Sequence, residues 1–356
     1  PVPLEQDVKF ACALLTGAGA PPGLTAIRSL REAKLGLKLI AADAAPYAAG
    51  LFEEGLEASL VLPSATRDQA AYVAALEDAC ARHGVDLIIP GSEAECAALA
   101  PHRDRFQARG VEIPVPEPSV LRFGLDKGAL LERAAARGLT APKTVVIHDE
   151  ADLAAWDGGF PCVLKPRASR GARGVSYPHS LDALKRDWRR TQSEEGACLV
   201  QTFIPGGVDR IFTVGAVFVE GRLMLATVHR KLATNPPSGG AATAGLTVHD
   251  PDVRAAGLAV LEATGPWHGF AAVELKVSEA DGRPWLLEIN PRLWGFSQMM
   301  TLAGVNAPAL LVRALAGEFG AGPVPAALAE YAEIAVVRSW VDRVIPAGFA
   351  PEGHAS

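Results

Sequence analysis

The chain is poor in the features that would class it at once. Its five cysteines, Cys12, Cys80, Cys96, Cys162 and Cys198, are scattered without CxxC spacing. That pattern disfavours a zinc site or a disulfide framework and fits buried free thiols in a reducing cytoplasm. There is no long basic run and the net charge is -6, so nucleic acid is not expected as the main partner. No apolar stretch reaches membrane-span length, and no membrane partner is expected. The charged start, Pro1 to Lys9, runs straight into a strand without a signal-peptide pattern. An internal repeat and the phosphate-loop pattern GxxxxGK(S/T) are also missing. What is present is an ordinary globular composition: 356 residues, 49% hydrophobic and 21% charged. That is enough for two or three compact domains of a cytoplasmic enzyme.

Residues 8–16 (VKFACALLT) form a short apolar run ending in Gly17-Ala18-Gly19-Ala20-Pro21-Pro22-Gly23. A helical pattern through Leu35 and a strand at Leu39 to Asp43 follow. The glycines run GxGxxxG, not GxGxxG, so a dinucleotide reading with Asp43 on a ribose yields to a turn that needs only close packing. Val61-Leu62-Pro63, a helix over about 67–83 and the strand Asp86 to Pro90 continue the alternation. The first ~115 residues therefore read as an open parallel sheet with helices on both faces. In the loop beyond the last of these strands, Glu93 and Glu95 either hold a cationic or hydroxylated substrate or begin a helix, where acids suit the dipole.

Three prolines in 111–119 (VEIPVPEPS) mark a boundary. Asp126-Lys127 opens or lies within a helix to about Arg137, and Thr144 to Ile147 is a strand. Phe160 to Pro166 is an apolar strand ending in Lys165. The small, basic segment Arg167 to Val175 then offers backbone N–H groups and arginines to a phosphate, a solvated basic turn being the alternative. Cys198 to Gly207 is a strand and turn, and Phe212 to Val219 and Leu223 to His229 are antiparallel about Glu220-Gly221. Arg230 and Lys231 precede a Gly/Pro loop at 235–245 that suits closing over a ligand. A helix covers about 251–264, and 296–317 is helical with a break at Gly304. From 321 onward no pattern is legible.

Two apolar runs flank Ala280-Asp281-Gly282, the signal of a hairpin with a three-residue loop and a glycine at positive φ. Such a loop pairs Glu279 with Arg283 and sets Glu274 opposite Glu288. Glu288 and Asn290 share a face, so Glu274, Glu288 and Asn290 converge. Opposed carboxylates are destabilising without a cation between them. Hard oxygen donors suit Mg2+, and Arg292 follows as a clamp for an anion. The alternative is an amphipathic hairpin whose acids face water. Trp285, Leu286, Leu287 and Ile289 speak against it, because they make the strand apolar on both faces.

A strand-terminal lysine before a Gly-rich basic loop, the strand and turn VQTFIPGG, an acid on a penultimate strand and LLEINPRLWG occur here in one order. In this the chain resembles the ATP-grasp superfamily, and the carboxylate–amine ligases within it, from about residue 10 to 320. The resemblance implies an α/β and α+β fold: a pre-ATP-grasp domain at 1–117, ATP-grasp subdomains at 118–195 and 196–320 with antiparallel sheets, and an extension at 321–356. It implies that Lys127 and Lys165 contact the phosphates of ATP and that the 169–175 loop, with Ser169, Gly171 and Gly174, folds over them. Gln201, Thr202, Phe203 and Ile204 would flank the adenine, Asp209 would bind the ribose and Arg230 the γ-phosphate. Glu274, Glu288 and Asn290 would hold Mg2+, with Mn2+ as the alternative ion, and Arg292 would stabilise the oxyanion of an acyl phosphate. Gln201 and Thr202 stand where the family commonly has an acid, and Asp209 is shorter than the usual Glu.

The implied activity joins a small-molecule carboxylate to an amine, or a thiol, with release of ADP and phosphate. A homodimer is common in the family. The rivals are carboxylation through carboxyphosphate, for which no biotin substrate domain is evident, carbamoyl-phosphate-type chemistry, whose duplicated halves are missing, and a non-catalytic ATP-binding protein. Substrate choice falls to the loops near 17–23 and 91–95 and to Leu293 to Gln298. There Trp294-Gly295-Phe296 forms either an apolar acceptor pocket or core under the hairpin.

Overall fold

The computed structural model describes residues 9–168, 172–237, 240–339, 342, 344–345 and 351–353. Strands β1 (Cys12–Leu15), β2 (Lys38–Asp43), β3 (Ala58–Val61) and β4 (Leu87–Ile89) form an all-parallel sheet in the order β3-β2-β1-β4. Because its strands are apolar on both faces, alternate residues feed two cores. Ala13 and Leu15 pack with Ile27 and Leu30 of the helix Pro21–Ala33. Cys12 and Leu14 pack with Val73 and Leu76 of the helix Gln69–His83. The glycine-rich turn after β1 is a packing device: a Cβ on Gly23 would lie 2.3 Å from the Gly17 carbonyl oxygen. The Asp43 carboxylate is used by the chain itself, accepting from Gly19 N at 2.7 Å and Ala45 N at 2.8 Å.

Strands β5 (Thr144–Ile147), β6 (Cys162–Pro166) and β7 (Cys198–Thr202) make a small antiparallel sheet in the order β5-β7-β6. Leu184 and Trp188 of the helix Leu181–Glu195 cover it. The remaining strands are β8 (Ile211–Val219), β9 (Arg222–Asn235), β10 (Ala241–Thr247), β11 (Gly269–Val277), β12 (Pro284–Asn290) and β13 (Ala335–Val337). They form one antiparallel sheet in the order β12-β11-β8-β9-β10-β13. One face buries Val214, Val273 and Leu275 against the helix Pro251–Thr264. The other face is apolar at one end, where Val217, Leu225 and Phe270 meet Leu310, Leu311 and Trp294. Its other end is polar and lines a cleft shared with β6 and β7.

Three local expectations change. The Gly/Pro loop at 235–245 is shorter than its composition indicates, because Ala241–Thr247 is a strand paired with β9. The segment past 321 is not featureless: β13 pairs with β10 and extends the large sheet. The hairpin loop holds four residues, not three. Ser278 N donates to the Arg283 carbonyl at 3.0 Å, and Val277 pairs with Pro284, so Glu279 does not face Arg283. A bulge between Glu274 and Leu275 in the ladder then shifts the register back by one. The two departures cancel, and Glu274 does oppose Glu288.

Candidate functional site

The cleft has a volume of about 760 Å³, within the usual range for small-molecule sites. Strand alternation builds its floor. Glu274, Thr213 and His229 form one cross-strand row over β11, β8 and β9, and all three face the cleft together with Lys231, Glu288 and Asn290.

The opposed carboxylates are separated by lysines. Lys231 Nζ donates to Glu274 Oε2 at 2.8 Å, and Lys127 Nζ lies 3.5 Å from Glu288 Oε2. Lys165 is buried on β6 and donates to the Leu287 carbonyl, at the bulge, at 3.4 Å. Burial alone would push the Glu288 carboxyl up. Lys127, Lys165 and Lys231, with an Asn290 Nδ2–H bond of 3.3 Å, hold it below its ordinary value instead. Lys165 moves down to about 8 through burial, opposed by Glu288 and aided by Lys127.

Neighbouring acids position Lys127 and Arg292. Asp126 caps the helix Lys127–Ala136 by accepting from Gly128 N at 2.9 Å and Ala129 N at 3.3 Å, which orients Lys127. The same carboxylate accepts from Arg167 Nε at 3.1 Å, tying that helix to the end of β6. Arg292 Nε donates to Glu93 Oε1 at 2.7 Å and Nη2 to Asn290 Oδ1 at 3.1 Å. Arg292 therefore joins the end of β12 to the helix Glu93–Leu99 of the N-terminal sheet.

At the opposite end Gln201, Thr202, Phe203 and Ile204 all line the cleft. Gln201 turns its amide to Thr144 Oγ1 at 3.1 Å. Phe203 supplies a flat apolar surface, edge-on to Tyr177 at 6.0 Å and with Lys276 Nζ 5.1 Å from its centroid.

Not every expected residue arrives. Arg230 is not part of the cleft lining; the two-residue strand period gives that face to His229 and Lys231 and sends Arg230, opposite Phe212, to the other side of the sheet. Asp209, in the helical turn Val208–Arg210, is also outside the lining, although its charge acts on Lys276. Gly174, at φ +72°, shapes the turn whose neighbours Ala172, Arg173 and Val175 line the cleft. Arg173 is paired there with Glu195 at 2.8 Å. Ser169 and Gly171 lie outside the described residues.

Lys231, His229, Tyr177, Lys276 and Arg338 line the cleft without having been singled out. Alternation from Glu274 through the paired strands could have found Lys231. No local signal marks Arg338, which follows β13. Among the described residues no three His, Cys, Asp or Glu side chains cluster as a metal site. The candidate cation site is two carboxylates with one amide, a hard-oxygen set that fits Mg2+ completing its shell elsewhere.

All five cysteines are free, and burial pushes their thiols up, to about 12 for Cys80 and about 11 for Cys162 and Cys198. No helix of the described residues is long and apolar enough to cross a membrane.

A family model described as ATP-grasp in the biosynthetic pathway with Ter operon matches residues 198–339, and one described as the PylC-like N-terminal domain matches 14–114. Formate-dependent phosphoribosylglycinamide formyltransferase of Bacteroides thetaiotaomicron is 33% identical over 118 residues, 32% of this chain and 29% of that protein. Carnosine synthase 1 of Gallus gallus is 34% identical over 186 residues, 46% of this chain and 19% of that protein. The matches thus span less than a third of either relative's length. The biotin carboxylase domain of Hydrogenobacter thermophilus 2-oxoglutarate carboxylase shares the fold with a TM-score of 0.70 at 16% identity, over 90% of this chain and 72% of that one. L-amino acid ligase from Bacillus licheniformis gives 0.66 at 18% identity, over 87% and 75%.

Proposed function

We propose that this chain, which belongs to the ATP-grasp superfamily, is an ATP-dependent ligase joining a carboxylate to an amine. The observation that carries the reading is the cluster of Lys127, Lys165 and Lys231 about Glu274 and Glu288. Three lysines face two carboxylates, and the surplus positive charge suits the phosphates of ATP. Lys127 and Lys165 neutralise those phosphates, and Lys231 takes the part first given to Arg230. Phe203, Ile204 and Tyr177 form the slot for the adenine. A substrate carboxylate oxygen bonds to the γ-phosphorus as the bond to the ADP oxygen breaks, giving an acyl phosphate. The amine nitrogen then bonds to the acyl carbon, phosphate leaves and the nitrogen loses a proton. Arg292 neutralises the oxyanion of that second step. Glu274, Glu288 and Asn290 would hold Mg2+ or Mn2+, which when bound supplies charge neutralisation on phosphate oxygens.

The test is phosphorus NMR of the nucleotide product with MgATP and pooled carboxylic acids and amines. ADP and phosphate are expected, formed only when a suitable pool is present. AMP and pyrophosphate would overturn the mechanism, because they mean adenylation. Glu288→Gln is expected to cut turnover about a hundredfold or more, the scale of losing metal charge stabilisation, with an unchanged circular-dichroism spectrum. Normal turnover in that variant would sink the metal assignment.

A further inference from the structure

Part of the cleft, a recess among His229, Trp294, Phe296 and Arg338, is not used by the reaction above. His229 and Trp294 are each only 2% exposed. His229 Nδ1 and Trp294 Nε1 are buried without a hydrogen-bond partner among the described residues, a condition that costs stability when nothing satisfies it. Arg338 Nη1 donates to the Ala242 carbonyl at 3.3 Å, Nη2 donates to the Gly295 carbonyl, and the guanidinium lies 4.4 Å from the Phe296 centroid. Burial pulls Arg338 down to about 10, so it stays charged at neutral pH, and no salt bridge to it is present among the described residues. A half-buried cation with no counter-charge among the described residues is a state that a bound anion relieves.

These side chains are close enough to meet one ligand. The Trp294 indole lies flat over Gly215, where a Cβ would come within 2.6 Å of it. Gly215 is two residues from Thr213 on β8, and Thr213 pairs with His229. The Trp294 indole thus covers the row next to that of His229 on the same sheet face. The Phe296 ring centroid is 6.3 Å from that of His229. Burial, Lys231 and Arg338 hold His229 neutral, down to about 3, so the recess carries one positive charge among apolar ring faces.

We propose that this recess is the subsite for a second anionic group on one of the two substrates: a carboxylate that stays unreacted on Arg338, attached to an apolar body held between Trp294 and Phe296. The Trp294 N–H donates to an acceptor on the same ligand. Which substrate carries the group rests on the ligase reading; the binding itself does not.

The test is calorimetric titration of the full chain with 3-phenylpropionate, its neutral analogue 3-phenylpropanamide and L-phenylalanine, with MgADP titrated in parallel. A carboxylate probe is expected to bind the wild type at least tenfold more tightly than the amide. Arg338→Met abolishes that preference, Arg338→Lys restores part of it, and Trp294→Ala weakens acid and amide alike. Unchanged MgADP affinity shows that each variant is folded. Tighter binding of 3-phenylpropionate than of L-phenylalanine assigns the recess to the acid substrate, and the reverse order assigns it to the carboxylate of the amine substrate. Equal wild-type binding of acid and amide, a preference that survives Arg338→Met, or no binding of any probe overturns the proposal. Failure of the wild type to bind MgADP would instead overturn the nucleotide reading, while the comparison of acid and amide would still decide this one.

Discussion

His229 holds its proton off far below the ordinary range, at about 3 against 6.5, because burial and the charges of Lys231 and Arg338 disfavour the imidazolium. In the unfolded chain the same ring takes up a proton near pH 6.5. Between these values the unfolded state binds the extra proton, so stability falls as the pH drops below 6.5. One such group contributes a slope of about 1.4 kcal/mol per pH unit in that window. His229→Asn is expected to flatten the pH dependence of the urea midpoint below 6.5 by about that slope. An unchanged profile would mean that His229 is protonated in the folded chain. Lys165 shows the same physics with a different consequence: at about 8 it still carries a proton at neutral pH. Both residues were visible in the sequence, but only Lys165 had a motif around it. His229 gained its character from burial, with Lys231 two positions away and Arg338 far along the chain adding to it.

The elements that aim the site are short, and their ends do the aiming. Asp126 caps the helix Lys127–Ala136 and also pairs with Arg167, so one carboxylate sets the positions of a helix start and a strand end. Asp126→Ala is expected to cost about 1–2 kcal/mol from the cap and to weaken MgATP binding, as the Lys127 ammonium loses its fixed origin. Asp126→Asn keeps an acceptor for the cap and should recover most of the stability but not all of the affinity. Thermal unfolding and a nucleotide titration separate the two effects. The β11–β12 hairpin was legible as a hairpin because apolar runs flank a turn sequence. Its loop length and its bulge were not. A four-residue loop and a three-residue loop with the same glycine at positive φ differ only in which backbone groups bond. At the bulge Leu287 presents its carbonyl to Lys165.

At the scale of the molecule the cleft is an assembly of distant pieces. The Glu93–Arg292 pair binds the first sheet to the last strand of the hairpin, and β13 brings Arg338 to the far end. The segment past 321 is held by Tyr331, which accepts from Val228 N at 3.1 Å and donates to the Val248 carbonyl at 2.9 Å, and by Thr247, which donates to the Ala332 carbonyl at 2.7 Å. Ending the chain at residue 321 removes these bonds and bares the β10 edge. At about 1 kcal/mol for each bond, the loss should lower the urea midpoint measurably, and a midpoint equal to that of the full chain would show that the segment is dispensable. The sequence by itself determined the parallel N-terminal sheet, a helix at Asp126-Lys127 and the shared face of Glu288 and Asn290, whereas Glu274 opposes Glu288 only because a bulge restores the register that the longer loop shifts. Those features arise from local periodicity and from turns that neighbouring residues encode. Only the tertiary structure decided that Lys231, not Arg230, faces the cleft, that Asp43 serves its own turn, and that Arg338 lines the cleft. Each of these depends on which strand lies beside which, and pairing between strands far apart in the chain is settled by burial over the whole sheet.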